Sequence, residues 1–239
     1  EEGVVGQVLA IKGMTRENLI VREESTGQQY RFGMPGPMLT QTEWQQCLDA
    51  VSALNPPPDY LVASGSLPPG VPEDFYAHVA RIAKGRGTHV IVDTSGEALR
   101  RVAQEGVYLL KPNLAELADL AGCRLGDECQ HEQVATDLVQ SGGSEVVVVS
   151  MGAAGALVVS ADGSERLRAP TVPIASKIGA GDSMVAGMVL SLARGASLAE
   201  AIRFGVAAGA AAVMSPGTEL CRREDTERLY ERMQAPAAA

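Results

Sequence analysis

The chain has 239 residues, long enough to bury a sizeable core in one large α/β domain or two small ones. Apolar residues make up 46% and charged residues 21%, which excludes a disordered chain, and with only 4% aromatics the core has to be aliphatic and alanine-rich. A net charge of −9 argues against nucleic acid or an anionic membrane as partner, yet leaves room for an anionic small substrate in a locally positive site.

Two β-like runs, 18–23 and 28–32, flank "ESTG" and predict a hairpin. A helix over about 42–54 follows, and "NPPPD" breaks it. "YLVAS" reads as a buried strand and "GSLPPG" as the loop behind it. Then come a helix over 73–84, the strand "THVIVD" ending at Asp93, a helix over about 97–104, and the short strand "VYLL" ahead of "KPN". Helices over about 114–120 and 132–140 lead to "EVVVVS", the strongest strand pattern in the chain. "MGAAG" turns it into "ALVVS", and "ADG" turns that into a strand at "ERLRAP". The last third is helical over about 180–193, 198–213 and 225–234, ahead of an "APAAA" tail. Continuous Val/Ile runs alternating with helices predict a mostly parallel sheet covered on both faces. Ligands in such sheets bind beyond the carboxyl ends of the strands. That rule selects 59–70, 93–96, 111–116, 150–155 and the "GAGD" segment, all opening onto one edge.

The four cysteines (Cys47, Cys123, Cys129 and Cys221) form no CxxC and no metal-type cluster with the three histidines. They read as free thiols in a reducing compartment. No apolar run is long enough to span a bilayer and no signal peptide leads the chain, so a soluble cytoplasmic protein is the expectation.

Gly179-Ala180-Gly181-Asp182 sets one carboxylate at the mouth of an apolar helix. The first helical turn leaves backbone N–H groups free, the helix dipole adds positive partial charge, and glycines let an anion approach closely. The turn therefore suits a phosphate, or the charge on a phosphoryl group in transfer. Asp182 beside it suits the base that takes the proton from an attacking hydroxyl. Asp182 equally fits an N-cap, with the glycines serving only tight packing. In Lys111-Pro112-Asn113 with Glu116, Asn113 and Glu116 share one helix face and can hold Mg²⁺ or its waters, while Lys111 can reach phosphates. The same pair fits a capping box. Ser150, Gly152 and Gly155 can wrap a nucleotide or simply form a hairpin turn. Arg16, Arg22 and Arg31 can meet an anionic substrate, although for Arg22 and Arg31 an ordinary surface role is favoured. Ser66 can hydrogen-bond a sugar, or belong to a turn made rigid by Pro68 and Pro69. GxxxxGK[ST], a GxGxxG after a strand, GxSxG and HExxH are all missing, which disfavours P-loop, nicotinamide, nucleophile-elbow and zinc-protease chemistry. His78, His89 and His131 have no partner that suggests catalysis.

In order and spacing, "GSLPPG", "VDTSGEAL", "KPNLAEL", "VVVVSMGAAGALVV" and "IGAGDSMVAGMVLSLA" resemble the ribokinase-like sugar kinases, and among them the phosphofructokinase B family. "TRENLIV…QQYRFGMPG" and "GTELCRREDT" are similar to its 6-phosphofructokinase branch. The resemblance covers nearly the whole chain. It implies a ribokinase-like three-layer α/β sandwich over 1–239, with part of a small β lid at about 14–34 that often serves dimerisation. It also implies phosphorylation of a phosphosugar from ATP with Mg²⁺; K⁺ dependence occurs in the wider family. Carried over, Asp182 is the base and Gly179, Ala180 and Gly181 the anion hole. Asn113 and Glu116 serve metal and phosphates, Lys111 the nucleotide phosphates, Ser150, Gly152 and Gly155 the nucleotide loop, Arg16 the sugar phosphate, and Ser66 the sugar.

Two departures stand out. The family's N-terminal portion, with half of the lid and the sugar-gripping aspartate, is expected to be absent, leaving an open sheet edge. Lys177 also stands where the family has threonine, and it either adds a charge contact to the phosphates or crowds the anion hole. The expected activity is conversion of fructose 6-phosphate to fructose 1,6-bisphosphate. The alternatives are 1-phosphofructokinase or tagatose-6-phosphate kinase and, in another class, a non-catalytic nucleotide-binding fragment.

Overall fold

The computed structural model describes residues 3–234; the "APAAA" tail lies outside the described residues. Strands β1 (Asn18–Arg22) and β2 (Gln29–Gly33) form the expected hairpin, a two-stranded sheet of its own. Its register pairs Leu19 with Phe32 and Val21 with Tyr30 on one face, and Ile20 with Arg31 on the other. Helix α1 (Gln41–Ser52) starts at a capping box between Thr40 and Glu43.

The main sheet runs β3 (Tyr60–Ser64), β4 (His89–Asp93), β5 (Val107–Leu110), β6 (Ser144–Ser150), β7 (Ala156–Ser160) and β8 (Gly163–Leu167), in that spatial order. The first three pairings are parallel, because helices α2 (Phe75–Lys84), α3 (Gly96–Val102), α4 (Leu114–Ala121) and α5 (Glu128–Gln140) make the crossovers. The last two are antiparallel, since a tight turn at 152–154 and another after Ser160 reverse the chain. Two sequence expectations shift. Helix α5 starts at Glu128 instead of residue 132, because the Asp127 side chain caps it by accepting from the Gln130 N–H at 2.9 Å. Strand β3 is not buried. It ends the sheet, and Val62 is 42% exposed.

Both faces of the sheet are covered, as expected. Val90, Val92 and Leu110 pack against Tyr76, Ala80, Leu99 and Val102 of α2 and α3. Val147, Val149 and Leu157 pack against Leu117 and Ala135 of α4 and α5. On the opposite face, Ile91, Leu109, Val146 and Val148 meet α6 (Ala180–Ala193) and α7 (Leu198–Met214) through Met184, Val185, Met188, Ile202 and Val206. Small residues let α6 and α7 approach closely: a Cβ added at Gly205 would lie 2.4 Å from Met188 Cγ and 2.7 Å from the Met184 carbonyl. Helix α8 (Arg223–Gln234) packs on α7 through Leu229. Among the described residues no helix is long and apolar enough to cross a membrane.

Candidate active site

The loops selected from the sequence meet at the carboxyl edge of the sheet. The Gly65 N–H donates to the Asp93 carbonyl at 2.9 Å, and Thr94 Oγ1 donates to the Gly65 carbonyl at 2.8 Å. The Lys111 N–H reaches the Val92 carbonyl at 3.0 Å, and the Ser150 N–H reaches Pro112 at 2.9 Å. The ends of four strands are thereby held in one row, with the apolar sheet beneath as a rigid floor.

At the centre of that row lies a residue that sequence reasoning left out of the site. The Asp93 carboxylate pairs with Lys111, Oδ1 to Nζ at 3.1 Å, with the two side chains 16% and 5% exposed. Burial pushes the Asp93 titration up, the nearby Asp182 charge adds to the rise, and Lys111 opposes it. The signal was an acidic residue closing the apolar strand "HVIVD" at the ligand-binding edge.

Beside this pair stands the first turn of α6. Its N-cap is Gly179, in the left-handed region at φ +73°, so no side chain satisfies the first amides of the helix. Asp182 is therefore not the N-cap. It lies inside the first turn, and its side chain is exposed. A Cβ added at Gly181 would sit 3.6 Å from Lys111 Nζ and 3.9 Å from Asp93 Oδ2. The glycine thus keeps open the space between the helix amides and the ammonium group. Free amides, the positive end of a helix dipole and a buried lysine converge there on a volume suited to an anion.

Asn113 and Glu116 form the capping box of α4: Glu116 Oε2 accepts from the Asn113 N–H at 2.8 Å, and Asn113 Oδ1 accepts from the Glu116 N–H at 2.9 Å. Burial raises the Glu116 titration and Asp93 adds to the rise, while the Asn113 N–H and Lys111 oppose it. Glu116 and Lys111 therefore share one electrostatic environment. Among the described residues no group of three side chains is built to hold a metal. Oε1 of Glu116, outside the cap, fits a hydrated ion that arrives with phosphate oxygens better than a dedicated protein cage.

Ser150 lies against this end of α4 through a bridge with Asn113. Gly152 stands in open space at φ +58°, whereas Gly155 is required by packing: at φ +98° its added Cβ would lie 1.9 Å from the Leu167 carbonyl. Lys177 is exposed.

Arg16 Nη1 donates to Ser66 Oγ at 3.2 Å, joining the two residues assigned to the sugar. They line a cavity of about 290 Å³ with Ile11, Thr15, Gly36 and Leu39. The hairpin also touches the segment leading to Gly179: Gln29 Nε2 donates to Ser176 Oγ at 3.1 Å. Gln29 shares a face with Ile20, Arg22 and Arg31, so that face turns toward the body of the protein. Leu19, Val21, Tyr30 and Phe32, on the other face, are 41–57% exposed.

A family model described as "pfkB family carbohydrate kinase" matches residues 1–225. The chain is 43% identical over 231 residues to the ATP-dependent 6-phosphofructokinase isozyme 2 of Mycobacterium tuberculosis, covering 97% of this chain and 68% of that protein. It is 31% identical over 221 residues to a Bacillus subtilis 1-phosphofructokinase, covering 92% and 71%. Its structure is similar to that of the Escherichia coli phosphofructokinase-2 in complex with potassium, with a TM-score of 0.88 and 42% identity, covering 92% of this chain and 72% of that one. The layer order and these likenesses make the fold ribokinase-like.

Proposed function

Because this chain belongs to the pfkB family of carbohydrate kinases, we propose that it transfers the terminal phosphoryl group of ATP to a hydroxyl of fructose 6-phosphate, giving fructose 1,6-bisphosphate. The observation that carries the reading is the meeting of the Gly179–Asp182 turn with the buried Lys111–Asp93 pair across the side-chain-free Gly181.

ATP lies across the Ser150–Gly155 turn with its phosphates toward Lys111. The amides of Ala180, Gly181 and Asp182 point at the phosphoryl group in transit and stabilise its charge more as it leaves than while it is bound. Asp182 takes the proton from the attacking sugar hydroxyl; its exposed position leaves room for a substrate hydroxyl in front of it. Mg²⁺ bound with the nucleotide supplies charge neutralisation on the phosphates, with Glu116 and Asn113 as the residues to hold it or its waters. Arg16 grips the phosphate already on the sugar and Ser66, hydrogen-bonded to Arg16, contacts the sugar itself, which fixes the hydroxyl relative to Asp182. The hairpin over 18–33 acts as the lid. Its outer face of Leu19, Val21, Tyr30 and Phe32 is the surface through which two copies associate.

The test is ADP release in a coupled assay with Mg·ATP, with and without fructose 6-phosphate. Sugar-dependent turnover supports the reading, and a folded chain that binds ATP but never turns over defeats it. Fructose 1-phosphate belongs in the same assay because of the 1-phosphofructokinase likeness, and tagatose 6-phosphate as the other phosphosugar of the second reading. The expected order puts fructose 6-phosphate first, in line with the higher identity to the 6-phosphofructokinase.

A further inference from the structure

At the edge of the sheet opposite β3, four guanidinium groups from three elements line one cavity of about 330 Å³. Arg166 and Arg168 come from the end of β8 and the residues just after it, Arg203 from α7, and Arg232 from α8, with Pro170 and Met233 among the apolar walls. None of these residues belongs to the kinase site described above, and among the described residues no acidic side chain lines the cavity.

The charges are not balanced from within. Arg166 pairs with Glu128 and Glu132 at 3.4 and 3.5 Å, and Arg203 with Glu165 at 2.9 Å, all from outside the lining. Among the described residues Arg168 and Arg232 have no ion-pair partner. Convergent like charges raise the free energy of the folded state. A bound anion removes that cost and gains charge-assisted, forked hydrogen bonds, for which guanidinium is the best-suited side chain. The volume falls at the small end of ligand clefts, about 300–1,000 Å³. In a chain of net charge −9, such a concentration of arginine is a local exception to the overall balance.

We propose that this arginine cavity is a second anion site, separate from the phosphoryl-transfer centre, that takes a small organic polyanion bearing two or more phosphate or carboxylate groups. The inference does not depend on the kinase reading, since it uses none of the same residues.

The test uses the full chain at constant ionic strength, titrated with citrate or with pyrophosphate against a chloride control, and read by thermal unfolding and calorimetry. A ligand that binds only the folded state raises Tm saturably. The expected result is such a rise with at least one anion, and half-saturation roughly tenfold or more weaker in an Arg168→Gln/Arg232→Gln variant, as loss of charged hydrogen bonds implies. Both side chains are exposed and relieve mutual repulsion when neutralised, so the variant's Tm in chloride is expected to equal or slightly exceed that of the parent, and its sugar-dependent turnover is expected to be unchanged. An Arg168→Lys/Arg232→Lys variant keeps the charge and is expected to recover part of the affinity. A response to citrate alone assigns a carboxylate ligand, a response to pyrophosphate alone a phosphate ligand, and a response to both a site that reads charge. The proposal is overturned by no saturable rise with either anion, or by one that the Gln variant leaves unaltered, which would place the binding elsewhere.

Discussion

Lys111 and Asp93 form a buried ion pair, Nζ to Oδ1 at 3.1 Å, and a Cβ placed on Gly181 would lie 3.6 Å from that Nζ. Such a pair costs more to break than it contributes when whole, because removing one partner strands a charge out of water. Lys111→Met is expected to destabilise the fold by about 3–5 kcal/mol in urea unfolding. Adding Asp93→Asn to it is expected to restore most of the loss. A single variant as stable as the parent would contradict the assignment.

Asp182 stands free in the first turn of α6, so its substitution tests chemistry with little effect on folding. Asp182→Asn keeps the shape and removes the base. Turnover is expected to drop by roughly 10²–10⁴-fold, while nucleotide affinity, followed by titration, stays near that of the parent. Unchanged turnover would remove Asp182 from the mechanism.

Two glycines of the site differ in kind, and alanine separates them. At Gly155 the added methyl would lie 1.9 Å from the Leu167 carbonyl and 2.7 Å from the Ala169 nitrogen, at φ +98°. Gly155→Ala is expected to cost about 2–4 kcal/mol of stability from strain and overpacking. At Gly181 the methyl meets nothing closer than 3.6 Å and lies in a helical turn. Gly181→Ala is expected to fold within about 1 kcal/mol of the parent yet lose turnover, because the methyl occupies the space meant for the phosphoryl group. Denaturant midpoints and kcat, measured together, decide both.

The titration of Glu116 is raised chiefly by burial, so the folded state holds its proton more tightly than the unfolded chain does. By linkage, this contribution to stability is fully present below the ordinary carboxylate range near ~4 and is lost as pH rises through the raised value. Glu116→Gln removes the ionisation and keeps an acceptor for the Asn113 N–H. The stability difference, Gln variant minus parent, is therefore expected to grow as pH rises from about 4 into the raised window, and then to level off. A difference that is flat with pH would show that Glu116 titrates alike in both states.

Much of this arrangement was legible because its determinants are local. The runs "HVIVD" and "SEVVVVS" read as interior strands, and "GAGD" at the mouth of an apolar helix marked the turn where α6 starts with its first amides uncapped. What escaped was non-local. Asp93 looked like the end of a strand, and its importance depends on Lys111 in the next strand's loop. "YLVAS" looked buried because composition reports apolarity and not whether a neighbour lies on both sides. The arginine cavity draws on β8, α7 and α8, so no window of sequence contains it. The early start of α5 was readable from Asp127 and Gln130, but its polar first turn masked the helical period.

Strand β3 pairs with β4 on one side and has no second partner among the described residues. Its outer row of N–H and C=O groups is a template on which another extended segment can add, and Val62 supplies an apolar foothold. The net charge of −9 opposes the approach of another acidic segment to that edge. Salt shortens the reach of that repulsion to about 10 Å at 0.1 M and less above it. Ionic strength therefore tunes how easily an acidic extended segment reaches the β3 edge: dilute buffer strengthens the repulsion, and added salt relieves it.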